Sequence, residues 1–244
     1  MKLTVVGLGP GAGEDLTGRA RQAIEAAELV VGYTAYIALI RNQFPDKEMV
    51  STGMRREVDR CRLALEEAAK GKNVAVVCSG DSGVYGMAGL IYELAREYPP
   101  MDIEVVPGIT AACGGAAVLG APLTHDFAVI SLSDLMTPWE KIEKRLACAA
   151  QADFVLCLYN PRSHNRPDYL RRACDIILRY KPETTVCGFV RNIGRAGEEA
   201  VTLTLGELRD REDVDMFTTV FIGNEQTVLL DGKMVTPRGY LQWP

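Results

Sequence analysis

Three short apolar runs, at residues 3–6, 74–78 and 103–106, each end in a turn of glycine and other small residues. The turns read Gly7-Leu8-Gly9-Pro10-Gly11, Ser79-Gly80-Asp81-Ser82-Gly83 and Pro107-Gly108-Ile109-Thr110-Ala111-Ala112. A short apolar run closed by glycine predicts a buried strand. Helical spacing lies between these runs: Leu16, Ala20, Ala23, Ile24 and Ala27 share one face, and the pattern recurs over residues 55–69 and 84–96. Residues 29–31 and 49–50 add two more strand signals. Alternating strands and helices predict a mostly parallel sheet covered on both faces. In such a sheet ligands bind outside the carboxyl ends of the strands, where an absent side chain lets them approach the backbone. Glycine in any one turn is equally well explained by tight strand-to-helix geometry. Three such turns at three strand ends predict a shared pocket.

The pattern breaks at Leu119-Gly120-Ala121-Pro122-Leu123, which predicts a linker and a fold of two α/β domains, residues 1–118 and 119–244. Beyond it, residues 128–132, 154–159 and 186–190 read as strands, with helices over 139–150 and 167–179. The strand-like stretches 200–203, 218–222 and 227–230 are joined by short connections, which predicts an antiparallel finish to a mixed sheet.

Composition narrows the function classes. Apolar residues make up 48% of the 244, enough for a substantial core, and the net charge of −5 supplies no basic field for nucleic acid or an anionic membrane. An anionic ligand would have to be met by local arginines. The seven cysteines are odd in number and scattered through apolar stretches, as expected of reduced thiols in the cytoplasm. With no C-x-x-C pair and only His125 and His164, no protein-bound metal is expected. The first residues run straight into a strand pattern without a secretory signal. Residues 109–123, the longest weakly polar stretch, are too short for a membrane crossing.

Gly7, Gly9 and Ala12 fit the loose spacing G-x-G-x-x-A of dinucleotide sites. However, no acidic residue ends the second strand signal, and Pro10 removes a backbone N–H from the loop that would meet a pyrophosphate. Gly71-Lys72 is followed by Asn73, so there is no P-loop either. A nucleoside with an uncharged tail fits the turns better than a dinucleotide or a triphosphate.

The ordered set G-x-G-P-G, Gly80-Asp81 to Tyr85-Gly86, P-G-I-T-A-A and Gly120-Ala121-Pro122-Leu123 resembles the tetrapyrrole methyltransferase family along nearly the whole chain. Within it, several segments resemble the precorrin-3B C17-methyltransferase branch. They are Ser51-Thr52-Gly53-Met54-Arg55-Arg56-Glu57, His125-Asp126-Phe127, Ser131-Leu132-Ser133-Asp134, Leu158-Tyr159-Asn160-Pro161-Arg162-Ser163 and Arg191-Asn192-Ile193-Gly194-Arg195. Leu132-Ser133-Asp134 stands where a uroporphyrinogen enzyme would carry T-G-H, and Tyr159-Asn160 where it would carry Met-Gly.

The resemblance implies two α/β domains with S-adenosyl-L-methionine in the cleft between them, a homodimer, and a tetrapyrrole substrate, precorrin-3B or cobalt-factor III. Positions matching cofactor contacts are Pro10, Ser79, Gly80, Asp81, Val84, Thr110, Ala111, Tyr159, Gly188 and Thr218. Asp81 suits ribose hydroxyls or the ammonium of the donor, or alternatively caps a helix starting near Val84.

Transfer from a sulfonium needs chiefly positioning, and an electron-rich macrocycle supplies its own carbon nucleophile. The accompanying ring contraction, also implied by the branch, has use for a general acid or base. His125 beside Asp126 and Asp134 with Ser131 and Ser133 are the candidates, with structural hydrogen bonding as the alternative for each. Substrate carboxylates require arginines: Arg55 and Arg56 opening a helix, Arg162 and Arg166 after the Tyr-Asn-Pro turn, and Arg191 with Arg195, while Asn160 offers an amide. The competing readings are a methylase of another ring position, a uroporphyrinogen methyltransferase, a nicotinamide oxidoreductase and a nucleotide-binding module without chemistry.

Overall fold

The computed structural model describes residues 1–11 and 13–240. Ala12, which completes the G-x-G-x-x-A spacing, lies outside the described residues. The chain divides into two compact units, Met1–Ala111 and Ala112–Pro244.

The first unit contains β1 (Lys2–Gly7), α1 (Gly18–Ala26), β2 (Leu29–Tyr33), α2 (Thr34–Ile40), β3 (Glu48–Thr52), α3 (Glu57–Ala69), β4 (Asn73–Cys78), α4 (Ala88–Ala95) and β5 (Asp102–Val106). Its sheet runs β3-β2-β4-β1-β5, every pair parallel. Because successive strand residues face opposite sides, the runs feed two cores. Leu3, Val5, Leu29, Val31, Val74 and Val76 pack with Cys61, Leu65 and Ile91 of α3 and α4. Val6, Val30, Ala75 and Val77 pack with Ala20, Ile24, Ile37 and Ile40 of α1 and α2.

Two helix starts differ from the sequence reading. Expected from residue 84, α4 begins at Ala88, because Tyr85 is left-handed (φ 54°) and the Val84 amide is drawn to Asp81. Expected from residue 55, α3 begins at Glu57, because Arg55 is left-handed as well (φ 62°). Arg55 and Arg56 therefore sit in the loop entering α3, not on its first turn.

The second unit holds α5 (Ala111–Leu119) from its second residue on. It continues with β6 (Gly120–Ala121), β7 (Phe127–Ser131), α6 (Trp139–Gln151), β8 (Val155–Tyr159), α7 (Tyr169–Ile177), β9 (Val186–Arg191), β10 (Glu199–Thr204), α8 (Leu205–Arg209), β11 (Thr218–Ile222), β12 (Val228–Leu230) and β13 (Lys233–Val235). The main sheet runs β10-β9-β11-β8-β7; β7 and β8 are parallel, whereas β11 pairs antiparallel with β8 and β9, and β10 antiparallel with β9. Leu156, Leu158, Phe189, Val220 and Ile222 form its core with Ile142, Leu146, Leu170 and Ile177. The sequence pattern does not single out α5, which carries two glycines. The helix lies so close to the sheet that a Cβ on Gly115 would come 2.8 Å from Phe221 Cζ.

The expected antiparallel finish holds for β10 and β11 but not for residues 227–230. There β12 joins β13 and β6 in a separate small sheet. Asp231 and Gly232 turn the hairpin with positive φ (48° and 75°), the geometry of a tight two-residue turn. Thr236 Oγ1 fastens it by donating to the Pro122 carbonyl at 2.8 Å.

Candidate functional site

In the first unit the three glycine turns meet at the carboxyl ends of β4, β1 and β5. Gly9 and Gly80 exchange backbone hydrogen bonds at 3.0 and 2.7 Å, and the Leu8 N–H reaches the Cys78 carbonyl at 2.8 Å. A Cβ on Gly7 would lie 2.5 Å from Gly108 N, and one on Gly108 would strike the Gly80 carbonyl and Gly7. Backbone packs on backbone here, so glycine is required. Gly80 is different: a Cβ there would make ordinary van der Waals contact at 3.8 Å with Ile109, Thr110 and Ala111, and glycine is favoured by the left-handed backbone (φ 67°).

Asp81 joins the turns. Its Oδ1 accepts from the N–H groups of Gly83 (2.8 Å) and Val84 (3.0 Å), and its Oδ2 from that of Gly108 (3.0 Å). The helix-capping alternative is thus replaced by a turn brace, with one acceptor site, on Oδ2, left for a ligand. Ser82, fully buried, donates to the Val106 carbonyl at 3.1 Å and adds a second tie between the β4 and β5 exits. Pro10 and Gly80 are buried, Ser79, Thr110 and Ala111 half-buried, and Val84 exposed.

Arg60, absent from the sequence candidates, is 4% exposed. It donates to Thr52 Oγ1 (2.8 Å) and the Gly53 carbonyl (3.0 Å), pinning the loop that carries Arg55 and Arg56. The signal was present: Arg60 shares its helix face with Ala64 and Ala68, both in the core.

The corresponding edge of the second unit is built from side chains. Ser131 Oγ, at the end of β7, accepts from Asn160 Nδ2 (3.0 Å) and from the Ser133 N–H (3.2 Å). Arg166 donates to Ser133 Oγ (2.5 Å), Ser163 Oγ (3.1 Å) and, at 3.5 Å, Asp134 Oδ1. The Tyr169 hydroxyl donates to Asp134 Oδ2 at 2.6 Å; this bond, with the Arg166 guanidinium, holds the Asp134 carboxyl below its ordinary range, and the same bond raises the Tyr169 phenol. Tyr169 is another residue the sequence reading passed over, because in the chain it is only the aromatic that opens an amphipathic helix.

Asn160 and Asn192 are both left-handed (φ 53° and 52°), where β8 and β9 leave the sheet. Left-handed residues at strand exits mark backbone held by its surroundings, as at ligand sites. Arg191 pairs with Glu199 at 3.2 Å and Asp213 at 3.6 Å, yet its Nε is buried with no hydrogen-bond partner. Thr218 is cross-strand from Arg191 on the same edge. Arg195 stacks at 5.9 Å on Phe217, which is exposed, and Arg162 donates to the Glu212 carbonyl. The Tyr159 hydroxyl accepts from the Ala112 N–H in the first turn of α5 at 2.6 Å.

Two candidates stand apart. His125 lies two residues before the amino end of β7, whose extended strand carries the chain about 13 Å from Phe127 to Ser131. Gly188 is buried in mid-β9, where a Cβ would lie 2.9 Å from Leu119, so its lack of a side chain serves the packing of α5. A depression of about 260 Å³ beside α1 is lined by Lys2, Arg19 and Glu104, toward the amino ends of the strands. Its two cations both pair with Glu104, at 2.9 and 3.1 Å, and it belongs to the surface packing of the sheet. Among the described residues no three His, Cys, Asp or Glu side chains are grouped to hold a metal, and no helix is long and apolar enough to cross a membrane.

Residues 2–209 match the family described as Tetrapyrrole (Corrin/Porphyrin) Methylases. A Salmonella typhimurium protein named probable cobalt-factor III C(17)-methyltransferase is 48% identical over 98% of this chain and 99% of its own length. A precorrin-3B C(17)-methyltransferase of Sinorhizobium sp is 40% identical over 98% and 96%. The crystal structure of the methyltransferase CobJ matches with a TM-score of 0.89 and 38% identity, covering 96% of this chain and 99% of that one. At 24% identity, a Thermus thermophilus uroporphyrin-III C-methyltransferase complexed with S-adenyl homocysteine shares the fold, with a TM-score of 0.71 over 91% and 97%. Sequence match, near full-length relatives and fold agree, and this chain belongs to the tetrapyrrole (corrin/porphyrin) methylase family.

Proposed function

We propose that this chain methylates C17 of a corrin-pathway tetrapyrrole, cobalt-factor III or precorrin-3B, using S-adenosyl-L-methionine, with contraction of the ring. The observation that carries the reading is the 48% identity to the Salmonella protein along practically the full length of both chains. S-adenosylmethionine supplies an activated methyl group. The first unit's glycine turns fit that donor: turns without side chains let a ligand approach the backbone, and Asp81 Oδ2 keeps acceptor capacity for a hydroxyl or ammonium group. Pro10, Ser79, Val84, Thr110 and Ala111 line the same turns, and the family resemblance adds Tyr159 and Thr218 as cofactor positions.

For the substrate we assign Arg55 and Arg56 of the first unit, and Ser131, Ser133, Asn160, Arg162, Arg166, Arg191 and Arg195 of the second. The orphaned Nε of Arg191 is a buried donor in want of an acceptor, and a propionate or acetate oxygen supplies one. The work of these residues is positioning, which brings a carbon nucleophile in line with the methyl group. His125, at the far end of β7, is left outside the site: turnover of His125→Ala should stay close to that of the parent, and a loss of about 10²-fold would restore it to the mechanism.

Mass spectrometry of products from cobalt-factor III and from metal-free precorrin-3B, each with labelled S-adenosylmethionine, tests the reading. A gain of one methyl with a contracted ring on either substrate is expected; no transfer to either would favour the binding-module alternative. A homodimer in the cytoplasm belongs to the same proposal. Sedimentation tests the first, and the seven cysteines, all unpaired, suit a reducing compartment.

A further inference from the structure

We infer that Tyr169, seconded by Arg166, is a positioning residue that keeps Asp134 as an ionised acceptor facing the macrocycle, so that Asp134 stabilises positive charge and does not donate a proton. The inference rests on the methyl-transfer reading above and assigns a role within the same site. Its basis is geometric. Asp134 sits beyond the carboxyl end of β7 with its side chain 35% exposed, one oxygen taking the Tyr169 hydroxyl at 2.6 Å and the other facing Arg166 at 3.5 Å.

The donors are themselves fixed. Tyr169 packs on Trp139 with centroids 4.4 Å apart, Arg172 lies over both rings at 4.1 and 5.2 Å, and Glu143 takes the Trp139 indole N–H and faces Arg172 at 3.8 Å. Arg166 and Tyr169 are thus the charged or titratable side chains that reach Asp134, with Arg172 and Glu143 behind the Tyr169 and Trp139 rings. One is a cation and the other a phenol that donates. Both favour the carboxylate.

The chemistry calls for that charge. As the ring carbon bonds to the methyl, the electron pair of the S–CH₃ bond stays on sulfur and one unit of positive charge passes from sulfonium to macrocycle. An ionised carboxylate beside the ring stabilises this transfer whether the ring nitrogens carry protons or a metal, and a protonated one does not.

The test compares the parent, Asp134→Asn and Tyr169→Phe. Asp134→Asn is expected to lower kcat about 10²-fold with little change in KM for the tetrapyrrole. Tyr169→Phe should move the acid limb of kcat to higher pH, read relative to that variant's own alkaline plateau. In ligand-free protein labelled with ¹³C at aspartate carboxyls, the Asp134 resonance, identified by its loss in Asp134→Asn, should titrate at higher pH in Tyr169→Phe than in the parent. Equal midpoints, an unmoved acid limb or full activity in Asp134→Asn overturns the inference. A parent that transfers no methyl to either tetrapyrrole overturns the functional reading, and the inference with it.

Discussion

The two sheet edges solve the same problem with different materials. In the first unit the β4, β1 and β5 exits are locked by backbone: Gly7 and Gly108 pack without side chains on each other and on the Gly80 carbonyl, and Asp81 ties three amides together. In the second unit the exits are held by side chains, Ser131, Ser133, Asn160, Arg166 and Tyr169, around an acidic centre. A backbone lock leaves no slack for substitution, since added atoms have nowhere to go. A side-chain lattice can lose members while the strands beneath it stay packed. The first edge should therefore couple function to folding, and the second should separate them.

The sharpest way to break this contrast is Gly108→Ala. The added methyl meets the Gly80 carbonyl and Gly7, so urea unfolding should show a loss of more than about 3 kcal/mol or no folded protein. A stable variant would mean that the lock is slack.

Next comes Arg191→Met. Its ion pairs with Glu199 and Asp213 are partly solvated and worth about 1 kcal/mol or less, and the substitution also removes an unsatisfied buried donor. The unfolding midpoint should hardly move, while KM for the tetrapyrrole rises roughly 10- to 100-fold, as expected for a lost charged hydrogen bond. Equal losses in both would show that the second edge is as tied to folding as the first.

The smallest effect is expected at Asn192. Glycine tolerates its left-handed backbone, so Asn192→Gly should change stability by about 0.5 kcal/mol at most, whereas Asn192→Ala should cost about 1 kcal/mol. Calorimetry on the pair separates a conformational requirement from one for the amide.

The same division explains what could be read in advance. The parallel sheet and the meeting of three turns were legible, because apolar runs and glycines are local signals and backbone packing leaves them in the chain. Helix starts at α3 and α4 were misread where left-handed Arg55 and Tyr85 interrupt residues of good helical spacing; only tertiary contacts hold such conformations. The helix α5 was hidden by glycines that packing against Phe221 demands. At the second edge Ser131, Ser133, Asp134 and Asn160 were legible from family motifs. Tyr169 was not, since its partner Asp134 is 35 residues away in sequence.

The distribution of thiols has a practical consequence. Cys61, Cys78, Cys157, Cys174 and Cys187 are buried, and burial pushes Cys61, Cys157 and Cys174 up to about 12 and Cys78 to about 11. Near neutral pH a thiol at about 12 is ionised on the order of once in 10⁵ molecules, too seldom to react. The two exposed thiols, Cys113 on α5 and Cys148 on α6, both belong to the second unit. A maleimide dye should therefore mark that unit alone, giving the native chain two ready attachment points for fluorescence work without engineered residues.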